Sequence, residues 1–301
     1  MAKRQRREID YRGVDQDLYT TIVSLKQIPT QTSDWIEQHS LALNIQYKNG
    51  ASIADITEID DIVLGDTSDL ILDGWNRNRL LIADEHDLKD GSKSNTAITI
   101  IRKLRKVLLN EVNTPMREEF VDSYVMTLLR YAGFDEEPFS TELKYTSTAL
   151  IGSTKIVSKT DFMVTKIDRC LLLIVEDKHP RGVSEFTDWN EHQIAGEIFC
   201  SAFHNSNLDN QPIRYPLSLY AVRIIGTKFT FYKAVITHAY MGQCHSGLLP
   251  NDDVSLVITR YPAQAERESD MSRALTAWDF CIQEDRVMIL KTLESLRELW
   301  L

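Results

Sequence analysis

The sequence predicts an α/β protein, α+β in its layout, with a mostly helical N-terminal region. Three observations predict it. From residue 111 onward, helical periodicity and β-branched runs alternate in the order helix, three strands, helix, two strands. Residues 171–175 (Leu-Leu-Leu-Ile-Val) are apolar at both alternating positions, which marks a central strand buried on both faces. Most periodic stretches in the first 110 residues have helical spacing. The chain is therefore read as an accessory region, 1–110, with a basic N-terminal tail, followed by a second domain, 111–301.

Residues 13–50 are expected to be mainly helical. Leu18, Ile22, Val23 and Leu25 form one apolar set, Trp35, Ile36, Leu41 and Leu43 another, and Ile28-Pro29-Thr30 breaks between them. Residues 51–95 are acidic and irregular, with a loop at 90–95. A helix over about 96–111 carries Ile98, Ile101, Leu104, Leu108 and Leu109 at helical spacing. Asn113 or Thr114 then caps a further helix with Pro115 in its first turn, and Gly133 ends it. Its apolar face is Phe120, Val121, Tyr124, Val125, Leu128 and Leu129. Strands are expected over 142–151, 153–165 and 170–178, with Ile167-Asp168-Arg169 as the turn between the last two. A helix over about 190–204 follows, then strands 217–225 and 228–236 joined at Gly226-Thr227, then mixed structure and a final helix over about 284–301.

At 301 residues, with 43% hydrophobic and 26% charged, the composition is that of an ordinary globular protein. No apolar stretch reaches the roughly 18 residues of a membrane span. The N-terminus has no apolar run of the kind that makes a secretory signal. Cys170, Cys200, Cys244 and Cys281 are widely spaced and read as reduced, buried thiols, so an intracellular compartment, cytoplasm or nucleus, is expected. Lys3, Arg4, Arg6, Arg7 and Arg12 make a basic cluster that suits an import signal, a phosphate-binding arm or a solvated tail equally well. The net charge of −10 disfavours indiscriminate binding to nucleic acid but leaves local contacts open.

The chemistry-bearing residues concentrate between 160 and 178. Asp161 opens one apolar strand, and the next apolar run ends in Glu176-Asp177-Lys178. Side chains alternate along a strand, so Glu176 and Lys178 share a face and Asp177 points the other way. Pairing of the two strands would set Asp161 beside Glu176. Two carboxylates and an ammonium at the end of a buried sheet suit a hard divalent cation such as Mg²⁺. Taken alone, Glu176-Asp177-Lys178 reads as the ordinary charged end of a strand. The addition of Asp161 and the element order shifts the reading to a metal site.

That order, with an acid opening the second strand and Glu-x-Lys ending the third, resembles the PD-(D/E)XK restriction-endonuclease-like nuclease superfamily over roughly residues 113–236. Thr160 stands where the superfamily's named proline would be. The resemblance implies a restriction-endonuclease-like core, with a mixed central sheet flanked by helices, and a nuclease domain at 111–301. It implies Mg²⁺, with Mn²⁺ able to substitute, held by Asp161, Glu176 and the Asp177 backbone carbonyl. A glutamate on the first helix often assists, and helical geometry favours Glu118, near the edge of the apolar face, over Glu119. Lys178 would orient the attacking water and stabilise the transition state, and Gln193 on the following helix would position Lys178 or a phosphate.

The expected function is metal-dependent hydrolysis of phosphodiester bonds, with nucleic acid, DNA ahead of RNA, as partner and no membrane contact. The alternative is a non-catalytic nucleic-acid-binding or scaffolding protein that retains a nuclease-like fold. Other candidates are weaker. Cys200 with His204, and Cys244-His245, invite a zinc site but read more simply as buried thiols and surface histidines. Arg214, Tyr215 and Arg223 suit a phosphate-lined groove, although Arg223 in a strand suits burial as well. Lys155, Lys159 and Lys166 read as strand-edge charges. Oligomeric state is not encoded in any feature of the sequence.

Overall fold

A computed structural model describes residues 24–59, 63–65, 67–88, 93–112, 117–177, 191–208, 213–263 and 276–301. The elements run α1 (Glu37–Ala42), β1 (Ile45–Asn49), α2 (Ala54–Thr57), α3 (Arg77–Ile82), α4 (Glu85–Leu88), α5 (Asn95–Val112) and α6 (Glu119–Tyr131). Then come β2 (Ser140–Leu143), β3 (Thr146–Ile151), β4 (Thr154–Lys159), β5 (Phe162–Lys166), β6 (Arg169–Asp177) and α7 (Glu191–Ser206). The chain ends with β7 (Leu217–Ile225), β8 (Lys228–Ile236), α8 (His238–His245), β9 (Leu256–Tyr261), β10 (Trp278–Asp279) and α9 (Gln283–Glu298).

Eight strands form one mixed sheet in the order β1-β9-β8-β7-β6-β5-β2, with β10 added on β8. β2, β5 and β6 are an antiparallel meander, and β7 lies parallel to β6. A parallel neighbour needs a crossover, and α7 supplies it. The β3–β4 hairpin is a separate two-stranded unit inserted into the meander. Two sequence-derived strands, 142–151 and 153–165, are therefore four strands. The second divides at Thr160-Asp161, where the chain bends and the Thr160 N–H donates to the Tyr145 carbonyl at 3.1 Å. β1 is a further difference, because residues 13–50 were expected to be mainly helical. Gln46, Tyr47 and Lys48 have no apolar alternation of their own; parallel pairing with β9 makes the strand. The apolar positions Leu18, Ile22 and Val23, the cap at 113–115, the tail cations Lys3, Arg4, Arg6, Arg7 and Arg12, and Lys178 lie outside the described residues.

Each sheet face carries its own core, so the protein has three layers. One core joins Phe162, Val164, Leu172, Ile174, Val222 and Phe231 to α5, α6 and α9. The other joins Met163, Leu173, Val175, Ala221 and Ala234 to α7, α8 and the β3–β4 hairpin. This is the alternation expected for β6, buried on both faces, with one exception. Strand pairing skips from Val164↔Leu172 to Thr165↔Cys170, which leaves Leu171 as a bulge residue. The bulge turns Leu171 toward the α6 core and Cys170 toward the α7 core. Residues from both sides of position 110, among them Leu70, Trp75, Ile100 and Val125, share the first core.

The turn at Ile167 and Asp168 has both residues left-handed, at φ 50° and 63°, as a two-residue hairpin requires. Gly133 ends α6 at φ +79°, and a Cβ there would meet Arg297 at 2.6 Å. No helix among the described residues is long and apolar enough to cross a membrane.

All four cysteines are free and buried. Burial pushes the thiols of Cys170, Cys244 and Cys281 up to about 12, and raises that of Cys200 as well. Because the thiolate is the reactive form, the native protein should react with Ellman's reagent at pH 8 at least about 100-fold more slowly than the urea-unfolded chain. A thiol that reacts rapidly in native buffer would contradict this packing.

Candidate functional site

Of the residues singled out in the sequence, Asp161, Glu118 and the backbone of Glu176 and Asp177 lie at or beside three adjoining elements, β5, α6 and β6. β5 and β6 pair antiparallel, with Phe162 opposite Ile174. Phe162 and Ile174 both point into the α6 core. The backbone of Glu176 and Asp177 pairs with Ile224 and Ile225 of β7. The side chains of Glu176 and Asp177 are not among those described.

Asp161 precedes the first residue of β5. Strict alternation would aim it at the α7 side, but the bend at Asp161 changes its direction. Lys144 shows where the carboxylate goes. Its ammonium lies 3.7 Å from Asp161 Oδ1 and 4.0 Å from Asp122 Oδ2, and Asp122 belongs to α6. One cation therefore spans a carboxylate from the start of β5 and another from α6. Glu118, the residue before α6, lies one helical turn ahead of Asp122 and is exposed. Residues four apart share a helix face, so Glu118 and Asp122 form an acidic stripe along α6.

The backbone fixes this arrangement. Lys144 links β2 to β3 in a left-handed conformation, φ 51°, which few side-chain-bearing residues adopt. Its own N–H donates to the Asp161 carbonyl at 2.8 Å, so the same residue that reaches Asp161 with its ammonium is tied to it through the main chain. Sequence reasoning missed both Lys144 and Asp122. For Asp122 a signal existed, its four-residue spacing from Glu118 on a helix. For Lys144 there was none, since its place depends on β2 pairing with β5.

No protein-family model matches this chain, and no curated protein matches it either. The reading of the site rests on its geometry and chemistry.

Gln193 sits elsewhere. It is on α7, on the opposite face of the sheet, and its Nε2 donates to Glu197 Oε1 at 2.8 Å. That face holds a second polar group beneath the start of α7. Glu191 Oε1 lies 2.9 Å from Arg260 Nε and accepts from the Tyr232 hydroxyl at 2.9 Å, while the Tyr47 hydroxyl donates to the Glu191 carbonyl. Burial, and then the Glu191 charge, raises the pKa of Tyr232, which keeps it a neutral donor. Arg223 and Arg260 are each only 2% exposed. Arg223 is thus a buried residue and does not line an open groove. Buried charges persist where they are paired and hydrogen-bonded, and this set anchors α7 to the sheet.

The remaining candidates are structural. His204 Nε2 contacts the Asp168 carbonyl at 3.1 Å, and His245 Nε2 lies 3.2 Å from the Ser206 hydroxyl. Cys200 and Cys244 are fully buried. Lys166 donates to the Trp300 carbonyl, while Lys155 and Lys159 on β4 are exposed. Among the described side chains, no three of His, Cys, Asp and Glu are gathered as a metal-holding group.

Glu118, Asp122 and Asp161 offer only carboxylate oxygens, the ligand type of Mg²⁺, Mn²⁺ and Ca²⁺ rather than of softer metals. The Lys144 ammonium lies between Asp122 and Asp161.

Proposed function

We propose that this chain is a metal-dependent nuclease of the PD-(D/E)XK type that hydrolyses phosphodiester bonds in DNA. The observation that carries the proposal is the meeting of three elements. Asp161 immediately precedes β5, the neighbouring antiparallel strand β6 ends in Glu176-Asp177, and Asp122 of α6 shares the Lys144 ammonium with Asp161. The order of a helix, a three-strand meander, a crossover helix and a parallel strand supports the same reading.

In this reading Asp161, Glu176 and the Asp177 carbonyl hold the cation, with Glu118 acting directly or through a water. Mg²⁺, when bound, supplies Lewis acidity at the phosphate and a water of lowered pKa. Lys178 would orient the attacking water and stabilise the transition state.

Purified protein should nick or linearise plasmid DNA in Mg²⁺ or Mn²⁺ and not in EDTA. Glu176→Ala and Lys178→Ala should each lose cleavage while keeping the wild-type circular dichroism spectrum. Cleavage that persists unchanged in either variant removes the mechanism. The net charge of −10 favours a second reading, a nuclease-like fold used for binding or scaffolding alone. DNA binding without cleavage in any metal would support it.

A further inference from the structure

We infer that the outward face of α5 and α6 is a nucleic-acid-binding surface, on which Lys103, Lys106 and Arg130 contact the phosphate backbone of a DNA duplex. The inference shares its partner with the nuclease reading but stands on these two helices and not on the proposed metal site.

α5 carries Arg102, Lys103, Arg105 and Lys106 and one acid, Glu111, which is paired with Arg77. At about 100° per residue, Arg102, Lys106 and Lys103 fall within about 100° of arc, opposite Ala97, Ile101, Leu104 and Leu108 in the core. Lys103 reaches over to α6, where its ammonium donates to the Ser123 carbonyl at 3.0 Å and to the Ser123 hydroxyl at 2.6 Å. An ammonium has three donors, so one is left for an anion. Thr127 and Arg130 continue the row of Ser123 along α6. Burial, and then the positive charges of Lys106 and Arg130, lowers the Lys103 pKa. Lys106 and Arg130 are exposed. Arg130 holds Asp135 at 3.2 Å, while Lys106 forms no ion pair or hydrogen bond among the described residues. Glu119, the acid on the same row of α6, pairs with neither lysine.

Like charges repel, and in a chain of net charge −10 this concentration does not come from a basic composition. An anion supplied from outside relieves it. The neighbouring groups select phosphate on a nucleic acid. Lysine, arginine and hydroxyls such as those of Ser123 and Thr127 are the donors that contact the DNA backbone. Lysine, by contrast, is depleted at protein–protein interfaces. Among the described residues no large hydrophobic of α5 or α6 is exposed, so this face has nothing to insert into a lipid surface.

The test is fluorescence anisotropy of a short labelled DNA duplex with the full chain in EDTA, across a potassium chloride titration. Because log K falls with log salt by about 0.9 per phosphate contact, one lost contact should weaken binding about eightfold at about 0.1 M salt and lower the slope by about one. Lys106→Gln should show that loss, and with no hydrogen bond to break it should leave the fold intact. Lys103→Gln combined with Lys106→Gln should weaken binding roughly 50-fold and lower the slope by about two. Lys106→Arg, which keeps the charge, should bind like wild type. So should Lys155→Gln, which removes an exposed cation from β4 on the other side of the sheet. A duplex that wild type does not bind, or that Lys106→Gln and the double variant bind as tightly as wild type, overturns the inference. An equal loss in Lys155→Gln, or binding to phosphatidylserine vesicles in place of the duplex, overturns it as well. Plasmid cleavage in Mg²⁺ is followed in parallel. Patch-dependent binding without cleavage keeps this surface and removes the nuclease reading, whereas cleavage with patch-independent binding removes this surface alone.

Discussion

Replacing Asp161 by asparagine is expected to lower Mg²⁺-dependent DNA cleavage by about 100- to 1,000-fold, the scale of losing one group that acts on charge developing in a transition state. Asparagine keeps the shape and one oxygen but removes the charge that draws a divalent cation. The fold should hardly notice. Asp161 ends a bend rather than filling the core, its side chain is 27% exposed, and its ionic partner Lys144 is 54% exposed. Such a pair contributes about 0–1 kcal/mol. The Asp161 carbonyl that accepts from Lys144 is unchanged by the substitution. The melting temperature should therefore shift by no more than about 3 °C. Initial rates on a supercoiled plasmid at saturating Mg²⁺, together with a thermal melt, test both halves. A rate within about threefold of wild type would remove Asp161 from the chemistry.

The largest loss of stability is expected from Arg286→Met. Arg286 lies on α9 with no exposed surface. Its Nε donates to the Phe280 carbonyl at 2.7 Å, Nη2 to Trp75 at 2.6 Å, and Nη1 to Leu72 at 3.1 Å and to Ile71. The guanidinium thus ties α9 to the 71–75 loop, where Leu72 is itself left-handed at φ 53°. Burial lowers the Arg286 pKa from its ordinary value, yet the planar fork of donors still makes arginine the side chain suited to several carbonyls at once. Methionine fills much of the volume and satisfies none of these acceptors. Each buried orphan is worth about 1–3 kcal/mol, partly offset by relief of the arginine's own desolvation. A net loss of about 3 kcal/mol or more in urea unfolding is expected. Arg286→Lys should recover only part, because an ammonium has three donors and no plane. A loss below about 1 kcal/mol would mean that the loop finds other partners.

Neither Arg286 nor Lys144 announces itself in the sequence. A charged residue in an amphipathic helix reads as solvated, and the final helix was recognised from its apolar positions alone. Only the return of the 71–75 loop across α9 makes Arg286 a buried staple. Gln193 was attached to the site by family resemblance, and its distance along the chain from Asp161 carried no information about which sheet face it occupies. The crossover through α7 decides that. The strand split at Thr160-Asp161 was hidden for a similar reason: 153–165 is continuously strand-like, and the bend is set by hydrogen bonds to Lys144 and Tyr145, which form the link between β2 and β3.

What the chain states locally, it states clearly. Helical spacing over α5, α6, α7 and α9, the doubly apolar run of β6, the β7–β8 hairpin and the existence of a turn before β6 all follow from neighbours a few residues apart, where side-chain period and backbone sterics act directly. The bend that turns Asp161 to the α6 side, the ammonium of Lys144 across two carboxylates, the buried arginines and the addition of β1 to the sheet belong to tertiary structure alone. Each depends on contacts between segments far apart in sequence, and the free energy that fixes them, burial and satisfaction of polar groups, does not exist until those segments meet.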